Sequence, residues 1–191
     1  MEVIMNLDEK VIKEQPLYHG AILDLVLEDV LLPNGQTAKR EIIHHHGAVG
    51  IIPIDATGKL IVVRQWRAPM RKETLEIPAG KIDLGETDPK AVALRELNEE
   101  TGLFSPSLKP VANFYSTPGF ADEYLHLYYT DNLQPVAHKR QLDPDEFLNV
   151  MHLSFSEAQK ALADNEICDA KTVLALFYWE ILRLKGEVTL G

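Results

Sequence analysis

Weak alternation of apolar and polar positions through residues 1–20 predicts an arm or an edge strand. Residues 21–31 (AILDLVLEDVL) read as a strand and 37–45 (TAKREIIHH) as its return, with Pro33-Asn34-Gly35 as the hairpin turn between them. Two apolar strands follow, Ala48–Ile54 and Leu60–Trp66, joined by the turn Asp55-Ala56-Thr57-Gly58-Lys59. Glu73–Ile77 leads into Pro78-Ala79-Gly80, which must bend. The period then changes. From Pro89 to about Thr101 the chain predicts a helix, capped by Asp88, opened by Pro89 and stopped by Gly102, with Val92, Leu94 and Leu97 inward. Val111–Ser116, Tyr124–Thr130 and Phe147–Leu153 read as further strands. Ser156-Glu157-Ala158-Gln159 carries a capping-box pattern that opens one helix, and Asp169–Lys185 is a longer apolar helix. Strands that precede, surround and follow an acidic helix predict a mixed α/β domain with flanking helices.

Composition narrows the partners. The chain has 191 residues, 46% hydrophobic and 25% charged, enough for one domain with a sizeable core. Its net charge is −10, which disfavours a nucleic-acid backbone or an anionic membrane surface. An anionic substrate would need local basic residues or metal ions. Cys168 is the only cysteine, so no intrachain disulfide and no cysteine-based zinc site can form; it reads as a core residue. No apolar run is long enough to span a membrane, and charged residues interrupt the N-terminal stretch, so a cytoplasmic location is expected.

The candidate chemistry lies on the acidic helix. Glu96, Glu99 and Glu100 fall within five residues, at spacings that share one helix face. Their mutual repulsion costs a few tenths of a kcal/mol per pair (~0.3) unless something offsets it. A bound hard cation would do so; the plainer reading is a solvated acidic face. Carboxylates with water and substrate phosphates are the ligands Mg²⁺ prefers. Arg95 cannot be a ligand, and either orients a neighbouring Glu or forms a surface salt bridge. His44-His45-His46 cannot all chelate one ion from a strand, because neighbours point to opposite faces. They read as a polar strand end. Trp66 reads as a core aromatic.

The segment Gly80–Leu103 resembles the Nudix box. The pattern is Gly, five residues, Glu, seven residues, Arg-Glu-apolar-any-Glu-Glu-any-Gly-apolar, and the chain supplies Gly80, Glu86, Arg95, Glu96, Leu97, Glu99, Glu100, Gly102 and Leu103. One departure stands out: eight residues, not seven, separate Glu86 from Arg95. Pro89 keeps the family's spacing to Arg95, which assigns the extra residue to the Glu86-Thr87-Asp88 turn. Residues 62–80 are similar to the Gln-aromatic-Arg and Glu-apolar-Pro-Ala-Gly segments of ADP-ribose pyrophosphatases. Ser116-Thr117-Pro118-Gly119-Phe120, Asp143-Pro144-Asp145-Glu146-Phe147 and Asp169-Ala170-Lys171-Thr172 resemble further stretches of that subfamily.

The resemblance implies an α/β Nudix fold: a mixed β-sheet between helices, preceded by an N-terminal antiparallel hairpin or small sheet. It implies an N-terminal β arm over 1–46 that forms a homodimer and a hydrolase domain over 47–191. The implied reaction is Mg²⁺-dependent hydrolysis of a nucleoside diphosphate sugar, ADP-ribose giving AMP and ribose 5-phosphate, with Mn²⁺ as the alternative ion. Glu96, Glu99, Glu100 and the Ala79 carbonyl would bind metal. Glu146, with Asp143 and Asp145 as competitors, would supply the loop carboxylate that acts on the water, and Glu99 and Glu100 would share the catalytic role. Arg67 would meet the diphosphate, unless it only forms an ion pair with Glu73 or Glu76. Arg40 and Glu41 would contact the adenosine end, and Pro118 and Gly119 mark the substrate loop. The rivals are hydrolysis of another diphosphate (GDP-sugar, flavin or CoA type) and a sensor that binds ADP-ribose without cleaving it.

Overall fold

The computed structural model describes residues 6–188. Twelve strands and three helices are present among them: β1 (Lys10–His19), β2 (Leu23–Leu31), β3 (Thr37–His45), β4 (Ala48–Pro53), β5 (Leu60–Arg67), β6 (Lys72–Glu76), β7 (Ala79–Lys81), α1 (Pro89–Thr101), β8 (Leu103–Phe104), β9 (Lys109–Tyr115), β10 (Tyr124–Thr130), β11 (Gln134–Pro135), β12 (Leu148–Leu153), α2 (Phe155–Ala163) and α3 (Ala170–Leu184). They group into two compact units, residues 1–47 with 115–124, and 48–114 with 125–191.

The first unit is built on the antiparallel sheet β1-β2-β3. Gly35 takes φ 83° in the β2–β3 turn, where Leu32 N–H donates to Gln36 O at 2.8 Å. A left-handed φ of this kind is cheap only for glycine. β1 is exposed along its whole length and is an edge strand. The part of the expected arm at residues 1–5 lies outside the described residues. Segment 115–124 joins this sheet through Ile43 of β3, whose N–H donates to Phe120 O at 2.8 Å and whose carbonyl accepts from Asp122 N–H at 3.1 Å.

The second unit holds a four-stranded mixed sheet, β7-β4-β10-β9, in which β4 runs parallel to β10 and antiparallel to β7. An antiparallel sheet, β12-β5-β6, accompanies it. Every residue of β4 is buried. Its alternating side chains serve two cores, as the two-residue strand period requires. Val49 and Ile51 pack with Val92, Ala93 and Leu97 of α1. Ala48 and Ile52 pack with Leu60 and Val62 of β5 and with Ala175, Leu176 and Trp179 of α3. The strand is therefore covered on both faces, which is why it reads as a continuous apolar run.

The caps of α1 are those the sequence predicts. Asp88 accepts from Lys90 N–H at 2.9 Å, Pro89 opens the helix, and Gly102 closes it at φ 71° with its N–H on Asn98 O at 2.8 Å. The cap of α2 differs from expectation. Ser154, not Ser156, accepts from Glu157 N–H, and Glu157 returns the bond to Ser154 N–H. The box is Ser154-Phe155-Ser156-Glu157, because the extended backbone at Ser154 makes it the N-cap while Ser156 already lies inside the helix. Trp66 also departs from expectation: it is 60% exposed at the end of β5. β7, β8 and β11 span only two or three residues, too few for any periodicity to show. Among the described residues no helix is long and apolar enough to cross a membrane.

Candidate active site

Two glutamates of α1 are buried. Glu96 is 6% exposed and Glu100 3%. They stand one turn apart on the same side of the helix as Leu97 and Ala93, which anchor α1 on β4. Burying that helix face therefore carries the two carboxylates in with it. Glu100 accepts a hydrogen bond from Ala79 N–H at 3.2 Å, which ties the end of α1 to the bend before β7. Gly80 is required by the same contact surface, because a Cβ built there would overlap the Glu96 carboxyl.

The electrostatics are unfavourable for ionised carboxylates. Burial pushes the Glu96 carboxyl up to about 7; Arg95 opposes this, and Glu99 and Glu146 add repulsion. Burial likewise holds Glu100 well above the ordinary carboxylate range, reinforced by Glu96 and Glu146. Glu146, from the loop before β12, is itself raised, first by burial and then by the charges of Asp143, Asp145 and Glu99, against a backbone hydrogen bond that lowers it. Of the three loop acids, Glu146 is the one whose charge reaches both Glu96 and Glu100. The fold thus brings a distant loop carboxylate to the helix pair.

Glu99 faces a different environment. Arg95 Nη1 donates to it at 2.9 Å, and Arg140 Nη1 lies 3.7 Å away. Arg95 also grips Glu86 through Nε and Nη2, both at 3.1 Å, and its Nη1 stands 2.8 Å from Glu96. The lengthened turn after Glu86 therefore still delivers that carboxylate to Arg95. One guanidinium orients three acidic side chains, the supporting role foreseen for it as an alternative to a surface salt bridge.

Among the described residues no three side chains converge as a ready-made metal cage. The donor set nonetheless suits a hard divalent cation. Mg²⁺ retains waters and takes only one or two carboxylates together with substrate phosphates. The buried Glu96 and Glu100 and the exposed Glu146 are oxygen donors that repel one another, and positive charge between them would relieve that repulsion.

Arg67, at the end of β5, donates Nε and Nη2 to Glu76 Oε1 and Oε2, both at 2.6 Å. The ion pair weighed against a substrate role is thus present, while Nη1 is left over. Arg40, Glu41, Pro118 and Gly119 belong to the first unit. There Arg40 donates Nε to Glu9 at 2.9 Å. The Pro118-Gly119 loop is fastened to β3: Asp122 accepts from His45 N–H at 2.7 Å and pairs with His44 Nδ1 at 2.6 Å. The polar strand-end histidines thus hold a loop, which the triplet alone did not disclose. The sequence also gave no sign of Lys139, whose Nζ donates to Glu100 O at 2.9 Å, or of Arg140, whose N–H donates to Asn98 Oδ1 at 2.8 Å. Both brace the C-terminal turn of α1, where a cation meets the negative end of the helix.

Comparison with known proteins agrees with this geometry. Residues 44–176 match the NUDIX domain. The chain belongs to the Nudix family. It is 43% identical over 176 residues to the ADP-ribose pyrophosphatase of Bacillus subtilis (strain 168), covering 92% of this chain and 95% of that protein. It is also 43% identical over 174 residues to the methanol dehydrogenase activator of Bacillus methanolicus, covering 91% and 94%. A crystal structure of an ADP compounds hydrolase superposes with a TM-score of 0.82 at 23% identity over 96% of this chain and 99% of that one. The superposition supports the Nudix fold: mixed sheets with three helices and an N-terminal antiparallel sheet.

Proposed function

We propose that this Nudix protein hydrolyses the diphosphate bond of ADP-ribose, adding water to give AMP and ribose 5-phosphate. The observation that carries the reading is the meeting of Glu146, from an exposed loop, with the buried Glu96 and Glu100, carboxylates whose repulsion a divalent cation would relieve. The likeness to the Bacillus subtilis ADP-ribose pyrophosphatase over nearly the whole chain supports the substrate.

Members of this family depend on divalent metal ions, and we assign Mg²⁺ here, held by Glu96, Glu100 and the Ala79 carbonyl with Glu99 at the edge. When bound, the cation neutralises phosphate charge and acidifies a water. The remaining work falls to the chain. Glu146, raised above its ordinary value by partial burial and its acidic neighbours, accepts the proton of the attacking water. Arg67 offers Nη1 to a diphosphate oxygen. Arg95 keeps Glu86, Glu96 and Glu99 in place while charge develops. Arg40 and Glu41 recognise the adenosine end across a homodimer that the N-terminal sheet helps to form, and the Pro118-Gly119 loop borders the substrate. A cytoplasmic enzyme acting on a free nucleotide sugar fits the acidic composition.

Incubation with ADP-ribose and Mg²⁺, followed by phosphorus NMR, is expected to replace the diphosphate signals with two monophosphate signals. Binding without new monophosphate would instead establish a sensor. Cleavage confined to a GDP-sugar, flavin or CoA diphosphate in a parallel panel would overturn the substrate. Light scattering of the purified protein is expected to give twice the chain mass of 21.5 kDa.

A further inference from the structure

Beside the carboxylate pair lies a second charged cluster. Glu76 at the end of β6 is 1% exposed. It accepts Nε and Nη2 of Arg67 at 2.6 Å each, Thr74 Oγ1 at 2.7 Å, and the Lys171 ammonium. Lys171 also donates to Asp169 Oδ1 at 2.8 Å, so both of these residues, from the Asp169-Ala170-Lys171-Thr172 stretch, are engaged. Thr172 Oγ1 accepts from Ile77 N–H at 3.0 Å. The first turn of α3 is therefore joined to the strand that runs from Thr74 into the Pro78-Ala79 bend. Two cations and two anions balance. A buried ion cluster of this kind is a poor source of stability, because well-packed apolar side chains in its place are often as stable or more so. It is a good source of orientation, since a guanidinium gripped along one edge has a single setting. The Arg67 side chain is 39% exposed while its partner is 1% exposed, so the arginine reaches outward from a fixed, buried anchor.

We propose that Glu76, with Lys171 as its second cation, is a positioning residue that grips Arg67 by its Nε–Nη2 edge and so presents Nη1 to the substrate diphosphate. This rests on the reading of Arg67 as the diphosphate contact. Thr74 fixes the carboxylate from one side, and Lys171 keeps it ionised and in place from the other.

A double-mutant cycle tests the proposal by kcat and KM for ADP-ribose at saturating Mg²⁺, each variant assayed well below its melting temperature. Arg67→Ala is expected to lower kcat/KM on the order of 100-fold, the scale of losing one donor to a transition-state oxygen. Glu76→Gln is expected to lower it about 10-fold, within the range that small misplacement of a catalytic group produces. The double variant should be no worse than Arg67→Ala alone, because Glu76 acts only through Arg67. Losses that multiply would overturn the proposal, as would a folded Glu76→Gln protein with wild-type kcat/KM. If Glu76→Gln does not fold, Thr74→Val and Lys171→Met go through the same cycle with the same criterion, and Lys171→Arg should recover what Lys171→Met loses. An unchanged kcat/KM in Arg67→Ala would instead strike the Arg67 reading itself and the proposal with it, an outcome distinct from a failure of coupling.

Discussion

Two sets of buried glutamates in one unit behave in opposite ways. Glu76 is almost wholly buried, yet its carboxyl is held down to about 2; burial alone would raise it, but Arg67 and Lys171 overcome that cost. Glu96 is buried to a similar degree and is pushed up to about 7, and Glu100 is likewise held well above the ordinary carboxylate range. Burial is the first cause in each case; the neighbours decide the sign. The Glu76 cluster contains its own cations. In the α1 pair, Arg95 beside Glu96 and Lys171 acting on Glu100 do not overcome burial and the charge of a third acid, Glu146, so both carboxyls stay raised.

The largest effect that can break this comparison comes from Glu100→Gln. It removes an ionisable group from the α1 pair, and turnover should fall on the order of 1,000-fold, about 4 kcal/mol of transition-state stabilisation. Melting without metal should not fall, because the substitution removes repulsion rather than a partner. A variant that keeps near-wild-type turnover at saturating Mg²⁺ would show that Glu100 is not part of the site. Gly80→Ala comes next. Its new Cβ would displace the Glu96 carboxyl, and we expect roughly 100-fold lower activity from misplacement. Addition of the methyl to a packed site should also cost about 1–3 kcal/mol of stability, read by thermal melting.

Acid titration sharpens the other side. The folded value of Glu76 lies below its ordinary value, so its contribution to stability is present above about 4.5 and is lost as the pH falls through about 2. The loss approaches roughly 3 kcal/mol across that window. Urea midpoints between pH 5 and pH 2 should fall in the wild type and fall less steeply in Glu76→Gln. The smallest effect is on metal-linked melting. Glu96 and Glu100 are raised, so the metal-free protein loses stability as the pH rises through their folded values. Mg²⁺ needs the ionised forms. The Mg²⁺-induced stabilisation, read as a rise in melting temperature, should therefore grow from pH 6 to pH 8 and reach about 2.7 kcal/mol where the ion stands at a hundred times its dissociation constant. An increment independent of pH would count against binding at this pair.

The comparison also shows how far residue pattern reaches. Asp88, Pro89 and Gly102 set the limits of α1 from local chemistry alone, and the structure places each cap where the sequence predicts it. β4 and β5 are visible as apolar runs because β4 is buried throughout and β5 over its first half, Leu60 to Val63. The cap of α2 was misread by two residues, since Ser154 and Ser156 both precede Glu157 and only the backbone geometry selects between them. Trp66 was misread because hydrophobicity says nothing about whether a strand end still lies under a layer. Lys139, Arg140 and Asp122 gave no signal, because their partners lie far away in sequence: Glu100, Asn98 and the His44-His45 pair.

The acidic helix, its caps, its register of glutamates and the family to which the pattern points are all written in the residue order. These follow from spacings of three and four residues along one element, which local geometry enforces. What each carboxylate meets is set by the folded chain. It brought Glu146 to Glu96 and Glu100, turned Glu99 to Arg95, and enclosed Glu76 between Arg67 and Lys171. Charge interactions depend on distance and on the surrounding medium, and both are set by how remote segments pack.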